Sequence, residues 1–229
     1  MPVRINKFLA GAGIASRRKA DELIASGAVL VNGKRAAPGT IVDPERDDIR
    51  VAGKRLVAPA APHVTLVLNK PAGVVTTMSD DRGRPTVADL MPTGRRLFPV
   101  GRLDADTTGV LLCTSDGALA QTLAHPSHGV GKHYRATVSS EPSAASLHRL
   151  SGSPARRNPN GTFSFDIVLH EGKNRQVRRM CANEGLRVVA LTRISFGPIA
   201  LNDLKAGKFR ALTSAERSAL DKLHIGRRT

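Results

Sequence analysis

Tryptophan is missing, tyrosine occurs once, at Tyr134, and aromatic residues make up only 3% of the 229 positions. A nucleic-acid binder built as a platform of many exposed stacking rings is thereby disfavoured. Cysteine occurs twice, at Cys113 and Cys181, each inside an apolar run. Two cysteines make neither a zinc site nor a secreted disulfide framework, so both are expected to be reduced core residues of a cytoplasmic protein. No apolar run approaches the ~20 residues that a membrane span requires. The opening Met1-Pro-Val-Arg-Ile-Asn-Lys7 has no signal-peptide pattern. Acidic residues are scarce too: 19 Asp and Glu face 35 Lys and Arg, for a net charge of +16 and a pI of 11.1. Self-repulsion of that size destabilises a compact chain, so a polyanionic partner is implied, nucleic acid rather than membrane. What is present, 41% hydrophobic residues, suffices for a globular core.

The chain divides unevenly. Ile5, Phe8 and Leu9 keep helical spacing, Ser16 is an N-cap signal for a second helix, and Gly27 is a stop after Leu23 and Ile24. Ala28-Val-Leu-Val-Asn-Gly-Lys34 reads as a strand entering an Asn-Gly hairpin turn. Ile49-Arg-Val51 and Leu56-Val57 read as further strands, so residues 1–57 form a small two-helix module with a sheet. Residues 58–63 read as a linker, because small residues and two prolines sustain neither helix nor sheet. Residues 64–229 read as mixed α and β. Strands are expected at Val64–Leu68, Val110–Thr114, Tyr134–Val138, Phe163–Leu169 and Val188–Ile194, and helices at Ala118–Ala124 and Asn174–Asn183. Thr213 with Glu216 forms a capping-box pattern that opens a last helix. Residues 151–162 read as a mobile basic loop. Helices and strands do not alternate regularly. The expected fold class is α+β: a small α/β module, then a domain with a largely antiparallel mixed sheet flanked by helices.

Three clusters carry candidate chemistry. Ser16-Arg17-Arg18-Lys19 puts three cations at a helix start, where the helix dipole disfavours them. An external anion would answer that, and so would simple solvation; Lys7, Lys34 and Arg35 add to the patch. In the run 101–109, Gly101 and Gly109 bracket Arg102, Asp104, Asp106, Thr107 and Thr108, and the run leads into an apolar strand. Its carboxylates should therefore sit at the edge of the core. Asp104 and Asp106 lie two apart with no His or Cys pair at ligand spacing, which does not make a metal site. An acid/base pair of glycosidase type and a purely structural turn are the two readings of the loop taken alone. Last, Arg175, Arg178 and Arg179 fall at i, i+3 and i+4, with Val177, Met180 and Cys181 opposite. Such a face is either solvated or faced by anions, for which Asp104 and RNA phosphates are the candidates.

Taken in order, these pieces resemble known families. Arg4-Ile-Asn-Lys-Phe-Leu9, Gly13-Ile-Ala-Ser-Arg-Arg-Lys-Ala-Asp21 and Gly27–Lys34 resemble the S4 RNA-binding domain. Leu68-Asn-Lys-Pro-Ala-Gly-Val74, Arg84-Pro-Thr86, Phe98-Pro-Val-Gly-Arg-Leu-Asp104, Gly109-Val-Leu-Leu112, Ser115-Asp-Gly117, His125-Pro126, Lys132-His-Tyr134, Glu171-Gly-Lys-Asn-Arg-Gln-Val-Arg-Arg-Met180 and Leu191-Thr-Arg193 resemble the RsuA-type ribosomal-RNA pseudouridine synthases. The resemblance implies isomerisation of an rRNA uridine with no cofactor and no metal. It places the catalytic carboxylate on Asp104, acting as a nucleophile on the ribose or by helping to form a glycal. It places on Tyr134 a residue that stacks on the uracil or takes its C5 proton, and on Arg178 a salt bridge to Asp104. RNA binding is expected of Lys7, Arg17, Arg18, Lys19 and Lys34. Arg102 and Thr107 are expected to shape the loop or hold a flipped nucleotide, and Arg175 and Arg179 to hold phosphates or pack. Cys113 stands where the family has a larger aliphatic residue, and the basic tail of some members is missing after Ile225-Gly-Arg-Arg-Thr229.

Gly73-Val-Val-Thr-Thr77 with Gly83-Arg-Pro-Thr86 leans toward members that act on large-subunit (23S) rRNA, while Asp106-Thr-Thr-Gly-Val110 is also seen in 16S members. The expected partner is rRNA, free or in an assembly intermediate, met by a monomer in the cytoplasm. The alternative is a non-catalytic S4-type rRNA-binding or ribosome-assembly protein, which predicts loss of Asp104, Tyr134 or Arg178; all three are present. A DNA base-excising glycosylase is disfavoured by the S4-like module.

Overall fold

The computed structural model describes residues 2–56, 63–92 and 96–225. Val57 and most of the expected linker, residues 58–62, lie outside them. The chain forms two compact units, one of residues 1–64 with 93–96, the other of residues 65–92 with 97–229.

The first unit contains β1 (Val3–Arg4), α1 (Ile5–Gly11), α2 (Arg17–Ala25), β2 (Val29–Val31), β3 (Lys34–Arg35), β4 (Ile41–Val42), β5 (Ile49–Val51) and β6 (Lys54–Arg55). Ile5, Phe8 and Leu9 point inward as their spacing requires, onto Ala20, Ile24, Val29, Val42 and Ile49. Ser16 caps α2, its hydroxyl accepting from the Lys19 amide at 3.1 Å. The Asn32-Gly33 turn takes positive φ at both residues, 51° and 79°, which joins β2 and β3 as a tight hairpin. The sheet order is β3-β2-β5-β6, with β1 paired to β4. Of the strand expected at Leu56–Val57, Leu56 is outside any strand and Val57 lies outside the described residues; β6 is Lys54–Arg55, whose register with Arg50 and Val51 is set by the Ala52-Gly53 turn.

The second unit contains β7 (Thr65–Lys70), β8 (Phe98–Pro99), β9 (Thr108–Thr114), α3 (Gly117–Ala124), β10 (Lys132–Val138), α4 (Ala144–Arg149), β11 (Arg156–Arg157), β12 (Phe163–Leu169), α5 (Gln176–Asn183), β13 (Val188–Phe196), β14 (Ile199–Ala200), β15 (Phe209–Ala211) and α6 (Ser214–Ile225). Its sheet runs β11-β12-β10-β13-β9-β7-β15, with β14 added on β13 and β8 on β9. Every pairing is antiparallel except β9 with β13. One apolar cluster packs α3 and α6 onto Val67, Val110, Leu112 and Phe196. The other packs α5 onto Ala136, Val138, Phe165 and Ile167, with Phe163 and Leu169 beside them, as the alternation in β12 predicts. Thr213 and Glu216 exchange the two hydrogen bonds of a capping box at the start of α6. Cys113 and Cys181 are free and buried, and burial pushes their thiols up to about 12 and about 11. No helix among the described residues is long and apolar enough to cross a membrane.

Two further expectations need correction. Residues 151–162 are not a loose loop: Arg156 and Arg157 pair with Ser164 and Phe163, and the Asn158 amide ties the turn to Thr162 and Ser164 at 2.8 and 2.9 Å. Polar composition hid an edge strand. The helix expected from Asn174 begins at Gln176, because Arg175 takes a left-handed conformation with φ 47°.

The parallel pair is where the two halves of the sheet join, with Thr192 beside Thr108 and Arg193 beside Gly109. Gly109 has φ 104°, and a Cβ there would lie 2.2 Å from the Arg193 carbonyl oxygen. Gly109→Ala should therefore cost about 3 kcal/mol or more, from strain plus overpacking. Gly161, with φ 80° and open space around it, supplies the control; alanine there should cost about 1–2 kcal/mol. Urea denaturation measures both, and equal costs would contradict a close-packed junction.

Candidate active site

The loop that precedes β9 is held from below. Lys70, fully buried at the end of β7, donates from Nζ to the carbonyls of Pro71, Ala105 and Thr107 at 2.8, 3.3 and 3.0 Å. Burial lowers its ionisation to about 8, and the charges of Asp106 and Asp104 oppose that shift. Thr76 adds a second tie, its hydroxyl donating to the Leu103 carbonyl at 2.7 Å while accepting from the Leu103 amide at 3.2 Å. The Gly73 amide bonds the Ala105 carbonyl at 2.8 Å, and the Thr107 amide closes the turn onto the Asp104 carbonyl at 3.0 Å. With its carbonyls fixed this way, the loop turns Arg102, Leu103, Asp104 and Thr107 in one direction.

That direction is a cleft of about 300 Å³ lined by Gly101, Arg102, Leu103, Asp104, Thr107, Tyr134, Leu169, Leu191 and the segment Glu171–Val177. Its size suits a nucleobase-sized ligand. Loop 101–107 brings Asp104 from one half of the sheet; β10 brings Tyr134 from the other. The Asp104 carboxylate is about one-third exposed, and among the described residues its ion-pair contact is Arg175 Nη1 at 3.9 Å. Thr107 is buried, and its hydroxyl is without a protein partner.

The guanidinium groups sit differently from expectation. Arg178 does not pair with Asp104. Its Nη2 meets Asp106 Oδ2 at 3.3 Å and donates to the Asp106 carbonyl at 3.0 Å, while Nη1 donates to the Val188 carbonyl at 3.3 Å. Arg175 grips Asp106 with both terminal nitrogens, at 3.1 and 2.9 Å. The Arg175 hydrogen bonds, aided by the charge of Arg178, hold the Asp106 carboxyl below its usual range. The anion that faces the basic side of α5 is thus Asp106. Nor do the three arginines share one face: Arg175 precedes the helix, and Arg179 lines a separate groove with Glu171, Lys173 and Met180.

Behind Tyr134 lies a residue with no assigned role in the sequence reading. Arg193 stands opposite Tyr134 in the β10–β13 ladder and is fully buried. Its Nε donates to the Val110 carbonyl at 2.7 Å, and its guanidinium lies 4.9 Å from the Phe196 ring centre. Burial lowers its ionisation, and the Tyr134 hydroxyl opposes that shift. Lys132 sits on the same ring at 5.7 Å. Lys70 and Arg193 could have been suspected from the sequence: each is a lone cation within an apolar strand. Lys7, Arg17, Arg18, Lys19, Lys34 and Arg35 are all exposed on the first unit, with Lys19 bridged to Glu22 at 2.8 Å. Among the described residues, no group of three or more His, Cys, Asp or Glu side chains could hold a metal ion.

Comparison with known proteins bears on this geometry. The family described as "RNA pseudouridylate synthase" matches residues 64–183, and the "S4 domain" family matches residues 3–48. An "Uncharacterized RNA pseudouridine synthase" of Mycobacterium tuberculosis is 44% identical over 232 aligned residues, covering 93% of this chain and 91% of the relative. A "Ribosomal large subunit pseudouridine synthase B" of Bacillus subtilis is 37% identical, covering 93% of each. A solved structure titled "Crystal structure of pseudouridylate synthase" superposes with a TM-score of 0.63 at 29% identity, over 96% of this chain and 99% of that one.

The depressed ionisation of Lys70 gives a stability signature. Between pH 8 and 10.5 the unfolded chain retains a proton that the folded chain gives up, so this residue makes stability rise with pH. The stability advantage of the wild type over Lys70→Met should grow across that window in urea denaturation series. A difference that stays flat would contradict a buried, titrating Lys70.

Proposed function

The chain belongs to the RNA pseudouridylate synthase family and carries an S4 domain, and on that premise we propose that it converts one uridine of 23S rRNA, rather than of 16S rRNA, to pseudouridine through Asp104. Isomerisation of uridine in RNA is the family's activity; the large-subunit target is favoured by relatives named for that subunit. The observation that carries the assignment of Asp104 is the division of labour between two carboxylates. Among the described residues, Asp106 has its carboxylate engaged by two guanidinium groups, whereas Asp104 lines the cleft with a single distant ion-pair contact. A nucleophile needs lone pairs free to meet an electrophile.

The target nucleotide turns out of its helix into the cleft, since C1′ and C5 are not reachable in a stacked strand. The ionised Asp104 acts on the ribose, by attack on C1′ or by assisting loss of the 2′ proton; both routes break the N1–C1′ bond and free the uracil to turn. C5 then bonds C1′, with release of the Asp104 ester in the first route or return of a proton to C2′ in the second; N1 takes up a proton and the C5 proton departs, so the product is an isomer of the substrate. Tyr134 faces the base, as a stacking surface or as the acceptor of that proton. Arg102 and the unpartnered Thr107 hydroxyl hold the flipped nucleotide, and Arg175 and Arg179 meet phosphates. Arg178 acts from beside Asp106. In the first unit, Lys7, Arg17, Arg18, Lys19 and Lys34 bind structured rRNA by charge and shape. The working division is an S4 domain over residues 1–57, a linker over 58–63 and a catalytic domain over 64–229. The protein acts as a cytoplasmic monomer on free rRNA or an assembly intermediate.

Asp104→Asn should reduce tritium release from 5-tritiated rRNA to below about a thousandth of wild type, with rRNA affinity kept within about threefold. Substantial turnover by this variant would sink the assignment. Replacing both Arg17 and Arg18 by Gln should lower the slope of log affinity against log salt by about 1–2. An unchanged slope would remove these residues from the RNA contact.

A further inference from the structure

Among the described residues, Arg193 is the largest fully buried side chain, and no carboxylate pairs with it. More exposed arginines are matched: Arg135 meets Asp166, Arg149 meets Glu184 and Arg210 meets Glu216. Arg193 instead gives Nε to the Val110 carbonyl at 2.7 Å, rests its guanidinium on the Phe196 ring, and leaves Nη2 without a hydrogen-bond partner. Lys132 shares that ring, and the two cations oppose each other. Tyr134, which lines the cleft opposite Arg193 in the β10–β13 ladder, presents its hydroxyl to the guanidinium. Arginine keeps its charge even at full burial. A charge buried without a counter-ion is costly to a fold, and such exceptions gather where function uses them.

The reaction itself supplies an anion. When N1–C1′ breaks, its electron pair stays with the uracil and spreads over N1, O2 and O4. The sugar carbon is met by Asp104 or relieved by loss of the 2′ proton, and C5 later returns an electron pair to C1′. We infer that Arg193 is a positioning residue whose buried charge, acting through the Tyr134 hydroxyl, stabilises the uracil anion between cleavage and rejoining. The inference rests on the reading of the cleft as the place where uridine is isomerised through Asp104. A cation already fixed in a water-poor site needs no reorganisation as the opposing charge forms. It favours the transition state over the bound uridine, so it raises the rate and not the affinity.

The test uses the full chain under single turnover. The substrate is a 23S transcript ligated so that the target, located by carbodiimide mapping, carries a radiolabelled uridine or 5-fluorouridine. After nuclease digestion, chromatography separates N1-linked from C5-linked nucleotide. Fluorine withdraws electrons and stabilises the uracil anion by itself, so the 5-fluoro target depends less on Arg193. Arg193→Gln should slow conversion of uridine by about thirtyfold or more, with RNA affinity within about threefold of wild type, and should slow conversion of 5-fluorouridine at least about fivefold less. Arg193→Lys keeps the charge and should retain about a tenth or more of the wild-type rate, with the wild-type ratio between the two targets. A merely structural role slows both targets equally. Equal slowing of the two targets, a wild-type rate in Arg193→Gln, or a lysine form as slow as the glutamine form overturns the inference. Thermal unfolding of each variant is followed in parallel, and Arg193→Met carries the same comparison if the glutamine form does not fold. Asp104→Asn, assayed alongside, separates the two levels: its turnover, or an inactive wild type, would undo the reading of the cleft, whereas Asp104-dependent turnover with equal slowing of both targets would undo the role of Arg193 alone.

Discussion

The site exists because two strands running the same way approach closely at Gly109 and Arg193. β9 belongs to the half of the sheet that supplies the Asp104 loop, and β13 to the half that supplies Tyr134 and supports α5. A side chain at position 109 would strike the Arg193 carbonyl, so the junction closes only around glycine. Once it closes, Arg193 is buried beneath the join, tied to the Val110 carbonyl on one side and facing Tyr134 on the other. The geometry that sets the carboxylate opposite the tyrosine is therefore a property of the sheet, with loop 101–107 following it.

Electrostatics is managed locally against a chain-wide excess of cations. Buried Lys70 is satisfied by backbone carbonyls, which both stabilises its charge and fixes the loop above it. Arg193 and Lys132 rest on the face of Phe196. Arg135 is met across the ladder by Asp166 at 2.8 and 2.9 Å, and Arg210 by Glu216 at 2.7 Å. Beside the cleft Asp106 stands against two arginines, while the ion-pair contact of Asp104 among the described residues is Arg175 at 3.9 Å. Exposed cations of the first unit, among them Lys7, Arg17, Arg18 and Lys34, and of the second, among them Arg102 and Arg179, are available to an external polyanion.

Much of this was legible in the sequence where a local rule decided the outcome. Ser16, the Asn32-Gly33 turn, the Thr213–Glu216 box and the alternation from Phe163 to Leu169 each impose their own geometry, and the structure follows them. Val110–Thr114 reads as fully buried and is. The pairing of Asp106 with Arg175 and Arg178 was not legible, because it depends on a left-handed residue at 175 and on a junction between strands distant in sequence. Composition alone gave residues 151–162 as loose, since an edge strand of two arginines carries no apolar alternation. Asp104 stood out from Asp106 only by family resemblance; the structure adds a physical difference between them in how each carboxylate is engaged.

The central claim is that Asp104 of this chain makes pseudouridine in large-subunit rRNA. The most direct measurement is carbodiimide mapping of 23S and 16S rRNA from cells lacking the gene, complemented with the wild-type chain or with Asp104→Asn. The account predicts that one 23S position loses its carbodiimide stop in the deletion and regains it only with the wild type. No altered position in either rRNA, or a stop restored by Asp104→Asn, would contradict it.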